Sequence, residues 1–69
     1  MEVLKINGKE KRFPDGVPGT LMELLNQLDI NQATVVAEIN GKIIERQNFS
    51  QTRLSEGQRI ELVRFVGGG

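Results

Sequence analysis

Thr20-Leu21-Met22-Glu23-Leu24-Leu25-Asn26-Gln27-Leu28 is the stretch on which the fold turns. Thr20 and Glu23 stand three apart, a hydroxyl followed by a carboxylate, which is the spacing of a capping box at a helix start. Behind them Leu21, Leu24, Leu25 and Leu28 fall at i, i+3, i+4 and i+7, one apolar stripe at helical period. The spacing predicts a helix of about two to three turns. That stripe is too short for a coiled coil, so its partner is expected to be a sheet in the same domain.

Outward from the helix, both flanks read as strands. Towards the N-terminus, Leu4 and Ile6 alternate with Val3 and Lys5, and Asn7-Gly8 follows. Asn-Gly tolerates positive φ at both positions and favours a type I′ turn, so Glu2–Ile6 and Lys9–Phe13 are predicted to form an antiparallel hairpin. Pro14, Asp15, Gly16, Pro18 and Gly19 then make a breaker-rich loop. On the other side, Thr34–Ile39 is rich in β-branched residues, Asn40-Gly41 is a second hairpin turn, and Lys42–Glu45 pairs back. Arg46–Leu54 is less regular, with Phe49 and Leu54 as plugs beneath the fold. Ser55-Glu56-Gly57 is a turn, and Arg59–Val66 is the closing strand.

The order ββ-helix-ββ-turn-β is an α+β architecture, a mixed sheet of about five strands with one main helix across a face. Two hairpins separated by a crossover helix leave room for the final strand between them, beside the first, as in the β-grasp arrangement. Residues 1–66 are expected to form that domain and residues 67–69 a flexible glycine tail.

Composition narrows the function. The chain has 69 residues, enough for one domain, and no Cys or His. It must therefore fold without disulfides or thiolate and imidazole metal ligands, and the lack of Cys fits a reducing cytoplasm. Nine basic and nine acidic residues give no net charge, and the two halves of the chain are balanced. With Phe13, Phe49 and Phe65 as the only aromatics, neither a nucleic acid nor an anionic membrane is an expected partner. The longest apolar run is Val35-Val36-Ala37, so neither a transmembrane helix nor a secretory signal is expected.

Catalytic candidates are few. Without His or Cys the usual nucleophile–base pairs are missing, and Ser50 and Ser55 read as turn residues. Asp15, Glu23, Asp29 and Glu38 lie in separate elements, and Glu23 already has a capping task. Asp29-Ile30-Asn31 is too short for a calcium loop, which takes about twelve residues. No metal site and no bound cofactor are expected.

The ending Gly67-Gly68-Gly69 is the feature left over. No helix follows it, so it does not read as a phosphate-cradling loop. A bare glycine tail fits a frayed terminus or a cloning scar. It also fits a working part. Three extended residues reach roughly 10 Å, and without Cβ atoms they can thread a narrow channel and present the Gly69 carboxylate inside another protein's active site. Once activated, as in a mixed anhydride with AMP, that carboxylate accepts sulfur or an amine.

With β-grasp order and glycine tail together, the chain resembles the ThiS sulfur-carrier proteins of thiamin (thiazole) biosynthesis, a ubiquitin-like family. The likeness rests on Ile6-Asn7-Gly8-Lys9, the Asn40-Gly41 hairpin, Thr52-Arg53-Leu54 before the Gly57 turn, and Val63-Arg64-Phe65-Val66-Gly67-Gly68-Gly69. The resemblance implies that an E1-like enzyme adenylates Gly69 with ATP. A desulfurase or rhodanese-type donor then supplies sulfur for a thiocarboxylate, and thiazole synthase receives that sulfur. The chain itself is then a protein co-substrate in the cytoplasm, not an enzyme. Other readings stay open: the small subunit of molybdopterin synthase, a ubiquitin-like modifier joined to lysines, or a β-grasp binding module with an idle tail.

Strand alternation also offers a docking face. If Leu4, Ile6, Val35, Ala37, Ile39, Ile60 and Leu62 face the helix, Val3, Val36, Val63 and Phe65 lie on the opposite face, an apolar cluster to align the tail with a partner.

Overall fold

The computed structural model describes residues 1–65. Strands β1 (Glu2–Ile6) and β2 (Lys9–Phe13) form the first hairpin, α1 (Leu21–Gln27) follows, and β3 (Val35–Ile39) and β4 (Lys42–Ile44) form the second. The last strand is β5 (Arg59–Arg64), and the sheet order is β2-β1-β5-β3-β4. β5 runs parallel to β1 and antiparallel to β3. This is the mixed β-grasp sheet expected, with the final strand at its centre.

The two Asn-Gly turns take the conformation that their residues permit. Asn7 and Gly8 have φ of 51° and 82°, and Asn40 and Gly41 have 51° and 84°, positive at both central positions as a type I′ turn requires. Each Asn also does something that the turn type does not demand. The Asn7 carboxamide accepts from the Leu62 N–H at 2.7 Å and donates to the Leu62 carbonyl at 3.2 Å. Thus it stands in for the strand residue that β1 lacks beyond Ile6. From the other hairpin, Asn40 Oδ1 accepts from the Arg59 N–H at 2.9 Å, while the Asn40 N–H donates to the Arg59 carbonyl at 2.8 Å. The central strand is gripped from both sides by the turns of its neighbours.

Helix α1 starts as its sequence dictates. The Glu23 N–H donates to Thr20 Oγ1 at 3.2 Å, and the Thr20 N–H donates to Glu23 Oε2 at 2.9 Å. Gly19 makes room for this, because a Cβ there would stand 2.7 Å from Glu23 Oε2. The Leu21 N–H, an orphan at a helix start, donates to the Thr52 carbonyl, and the Leu54 N–H donates to the Gly19 carbonyl. The irregular segment thus ties itself to the helix entrance. At the exit, Asp29 N–H bonds to Asn26 O and Ile30 N–H to Leu25 O, a Schellman closure with Asp29 at φ 58° in the position glycine usually takes.

The core lies between α1 and one face of the sheet. Leu4, Leu21, Leu24, Leu25, Ala37 and Ile60 are fully buried, with Val35, Ile39 and Leu62 completing the sheet side. Of the positions expected to face the helix, Ile6 is half-buried and packs at the core margin. Phe49 and Leu54 are buried as plugs, as read from the sequence. Three boundaries differ from expectation. Thr34 belongs to a 3-10 turn, Gln32–Thr34, closed by its N–H and hydroxyl bonding to the Asn31 carbonyl. β4 stops at Ile44, because Arg46–Gln51 turns into a 3-10 helix that drops Phe49 under α1. β5 ends at Arg64, although the Phe65 N–H still reaches the Thr34 carbonyl at 2.7 Å.

Candidate functional site

Burial alternates along β3 and β5, so one face of the sheet is left to solvent. In cross-strand register that face is banded. Val36 stands directly opposite Val63, and Phe65 follows Val63 at the end of β5. Next along the sheet, Glu38 is opposite Glu61, with Ile43 beside Glu38 on β4. Further on, Lys5 is level with Arg59, and Glu10 of β2 pairs with Lys5. An open depression of about 270 Å³ lies among Lys5, Gly8, Arg59 and Glu61.

Of the four residues expected to cluster, the structure brings three together. Val36, Val63 and Phe65 form one apolar end, with Val63 57% and Phe65 53% exposed. Val3 lies at the opposite end of the face. The Gly57 N–H bonds to the Val3 carbonyl, and Gly57 is six residues before Val63, roughly 20 Å along the strand at 3.3 Å per residue. Between them stand the charged bands, and Val3 is half-buried against β2. Alternation fixed the face of Val3 but not its end, since the parallel offset of β1 against β5 leaves no mark on the hydrophobic pattern. Ile43, 64% exposed and adjacent to Glu38, takes the fourth place. Its signal in the sequence was the doubled Ile43-Ile44 on a short strand, which forces one of the two outward.

The chemistry available among the described residues is limited. No polar or charged side chain is buried, and no group of three or more His, Cys, Asp or Glu is placed to hold a metal ion. No described helix is long and apolar enough to cross a membrane. The expected reactive tail, Gly67, Gly68 and Gly69, lies outside the described residues. Phe65, the last described residue, is bonded through its N–H to the Thr34 carbonyl, at the end of the sheet that carries Val36 and Val63.

Comparison with known proteins bears on the same residues. The model of the ThiS family matches residues 2–69. Sulfur carrier protein ThiS of Bacillus subtilis is 33% identical over 67 residues, covering 97% of this chain and 100% of that protein. A thiazole synthase of Paramagnetospirillum magneticum is 33% identical over 66 residues, which are 96% of this chain but 20% of that protein. The crystal structure of thiamine biosynthesis protein ThiS from Geobacter metallireducens superimposes with a TM-score of 0.81 at 35% identity, covering 97% of this chain and 99% of that one.

Proposed function

Because this chain belongs to the ThiS family, we propose that it is a sulfur carrier of thiamine biosynthesis whose reactive group is the C-terminal carboxylate of Gly69. A carboxylate does not exchange oxygen for sulfur unaided, so activation comes first. The Gly69 carboxylate oxygen attacks the α-phosphorus of ATP on an E1-like adenylating enzyme, and pyrophosphate leaves. The outer sulfur of a persulfide on a desulfurase or rhodanese-type donor then displaces AMP from the acyl carbon, and a thiol cleaves the resulting acyl disulfide, leaving as a disulfide with the donor and releasing the thiocarboxylate. Thiazole synthase is the acceptor of that sulfur. The chain is a co-substrate of these partners, in the cytoplasm, and Gly67 and Gly68 carry the terminus into their active sites.

One observation carries this reading: the ThiS family model matches residues 2–69, the glycine run included, and the match to a sulfur carrier protein covers that protein's whole length. The fold supplies a physical complement. Central strand β5, bonded by Asn7 and Asn40, ends at Arg64, five residues before Gly69, so a partner that grips the sheet holds the chain close to its reactive residue. The exposed Val63 and Phe65, with the half-buried Val36 beside them, lie where such a partner would need apolar contact.

The test is intact mass after incubation with the adenylating enzyme, ATP and a sulfur donor. One oxygen replaced by sulfur, placed at Gly69 by tandem fragmentation, is the expected result. Sulfur found on any other residue refutes the mechanism. A residue appended after Gly69 should abolish activation, and persistent activation of that extended chain counts against the reading.

A further inference from the structure

Two of the chain's asparagines, Asn7 and Asn40, stand directly before glycine, whereas Asn26, Asn31 and Asn48 are followed by Gln or Phe. An asparagine before glycine is open to an intramolecular reaction, because no Cβ shields the glycine nitrogen from the neighbouring carboxamide carbon. Sequence gives the two sites equal standing, and so does the turn itself. The φ is 51° at both asparagines, and a Cβ on Gly8 or Gly41 would meet nothing within 4 Å. What holds the two carboxamides differs. Asn7 engages both ends of its carboxamide, accepting from the Leu62 N–H and donating to the Leu62 carbonyl, and its backbone N–H donates to the Ile60 carbonyl at 2.8 Å. Asn40 Oδ1 accepts from the Arg59 N–H, but among the described residues its Nδ2 donates to nothing. The Asn7 turn is closed by five residue pairs and the Asn40 turn by three, since β4 stops at Ile44 on the edge of the sheet. Freeing the Asn40 carboxamide therefore breaks fewer bonds.

We propose that Asn40-Gly41 is the site at which the folded chain deamidates, with water as co-reactant, while the fold shields Asn7-Gly8. When the β3–β4 turn opens, hydroxide removes the Gly41 amide proton and the nitrogen attacks Asn40 Cγ. The N–Cγ bond forms, the Cγ–Nδ2 bond breaks, and ammonia leaves with a proton taken from water. Water then opens the cyclic imide. Cleavage at Cγ gives aspartate, and cleavage at the backbone carbonyl gives isoaspartate, with one methylene added to the main chain. The aspartate product still offers an oxygen to the Arg59 N–H, so it keeps that grip on β5. The isoaspartate product shifts the backbone N–H away from the Arg59 carbonyl and loosens the turn. The same conversion at Asn7 would remove the donor to the Leu62 carbonyl and set an anion against it. The shielded site is thus the one whose loss would harm the fold more. The inference is independent of the carrier reading.

The experiment holds the purified full chain in mildly alkaline buffer, folded in one arm and in denaturant in the other. Aspartate and isoaspartate at each position are counted over time by fragmentation mass spectrometry. In the folded arm, conversion at Asn40 is expected to run at least about tenfold faster than at Asn7, the ratio that the extra hydrogen bond and the longer hairpin impose on opening. In denaturant the two rates should converge, and both should rise with hydroxide concentration. Hydrogen exchange gives a second reading, with the Arg59 amide expected to exchange faster than the Leu62 amide. Asn40→Asp, the homogeneous product, should melt close to wild type, and Asn7→Asp lower. A smaller ratio in the folded chain overturns the inference, as does an Asn40 that stays intact there while the denatured control converts. A preference for Asn40 that persists undiminished in denaturant assigns the difference to neighbouring residues and overturns the role of the fold. Rates indifferent to hydroxide overturn the imide route. Asn40→Asp melting below Asn7→Asp overturns the account of the products.

Discussion

Replacing Asn7 by alanine tests whether a turn residue holds the central strand. The substitution removes two hydrogen bonds to the Leu62 backbone, at 2.7 and 3.2 Å, and leaves the N–H of a buried residue without its partner. Each such bond contributes about 0.5–1.5 kcal/mol, so the pair accounts for about 1–3 kcal/mol. Alanine must also adopt φ near 51°, where an ordinary side chain costs about 1–2 kcal/mol. Together these give a loss of roughly 2–5 kcal/mol, against a total of about 3–10 kcal/mol for a domain of this size. At about 4–8 °C per kcal/mol the melting temperature should fall by at least about 8 °C. Asn7→Gly separates the two causes, because glycine accepts the positive φ but supplies no carboxamide. The expected order by calorimetry is wild type, then Asn7→Gly, then Asn7→Ala, with hydrogen exchange at the Leu62 amide accelerated in both variants. If Asn7→Gly melts with wild type and Leu62 stays protected, the carboxamide does not hold β5 and the reasoning fails.

Other expectations follow from named contacts. Asp29→Gly should stabilise the fold by about 0.5–1 kcal/mol, since glycine fits the left-handed position that closes α1, and a lower melting temperature would refute the Schellman assignment. Phe65→Asp should weaken binding of the adenylating enzyme without lowering the melting temperature, because Phe65 is 53% exposed; unchanged affinity would remove that patch from the docking face. Gly68→Val leaves the terminal carboxylate in place but adds a β-branched side chain to the tail. Thiocarboxylate formation should drop on the order of 100-fold with a normal melt. Wild-type turnover in that variant would dismiss the narrow-channel idea.

Where a local signal and a tertiary need coincide, the sequence is legible. Both hairpins come out with their strands in place because Asn-Gly defines the turn and alternation defines the face. The helix is equally plain, since Thr20, Glu23 and the leucine stripe state its start, its cap and its buried side in nine residues. The 3-10 segments were not, because turns this short carry no hydrophobic period, and what joins one to the other is a distant contact. Arg46 reaches the Gln32 carbonyl at 2.9 Å, across fourteen residues, to join the two segments. The second role of Asn7 and Asn40, as clamps on β5, was hidden for the same reason: positive φ is a property of the residue, whereas a bond to Leu62 is a property of the fold. On the candidate site, alternation sorted Val36, Val63 and Phe65 to the open face, but no periodicity could say that Val3 sits at its far end.

The position of β5 has a consequence for how the chain comes into being. The strand in the middle of the sheet is the last of the five to be synthesised, and its parallel partner β1 is the first. Until Arg59–Arg64 has been made, the two hairpins have nothing between them, and Leu4 and Ala37 have no common neighbour in Ile60 and Leu62. Closure must therefore wait on contacts that span nearly the whole chain, such as Asn7 with Leu62, which places the fold among those that pay their loop-closure entropy late. A nascent chain halted before β5 is left without a closed core and without the banded face. Assembly of that face is thereby tied to synthesis of the last strand of the sheet.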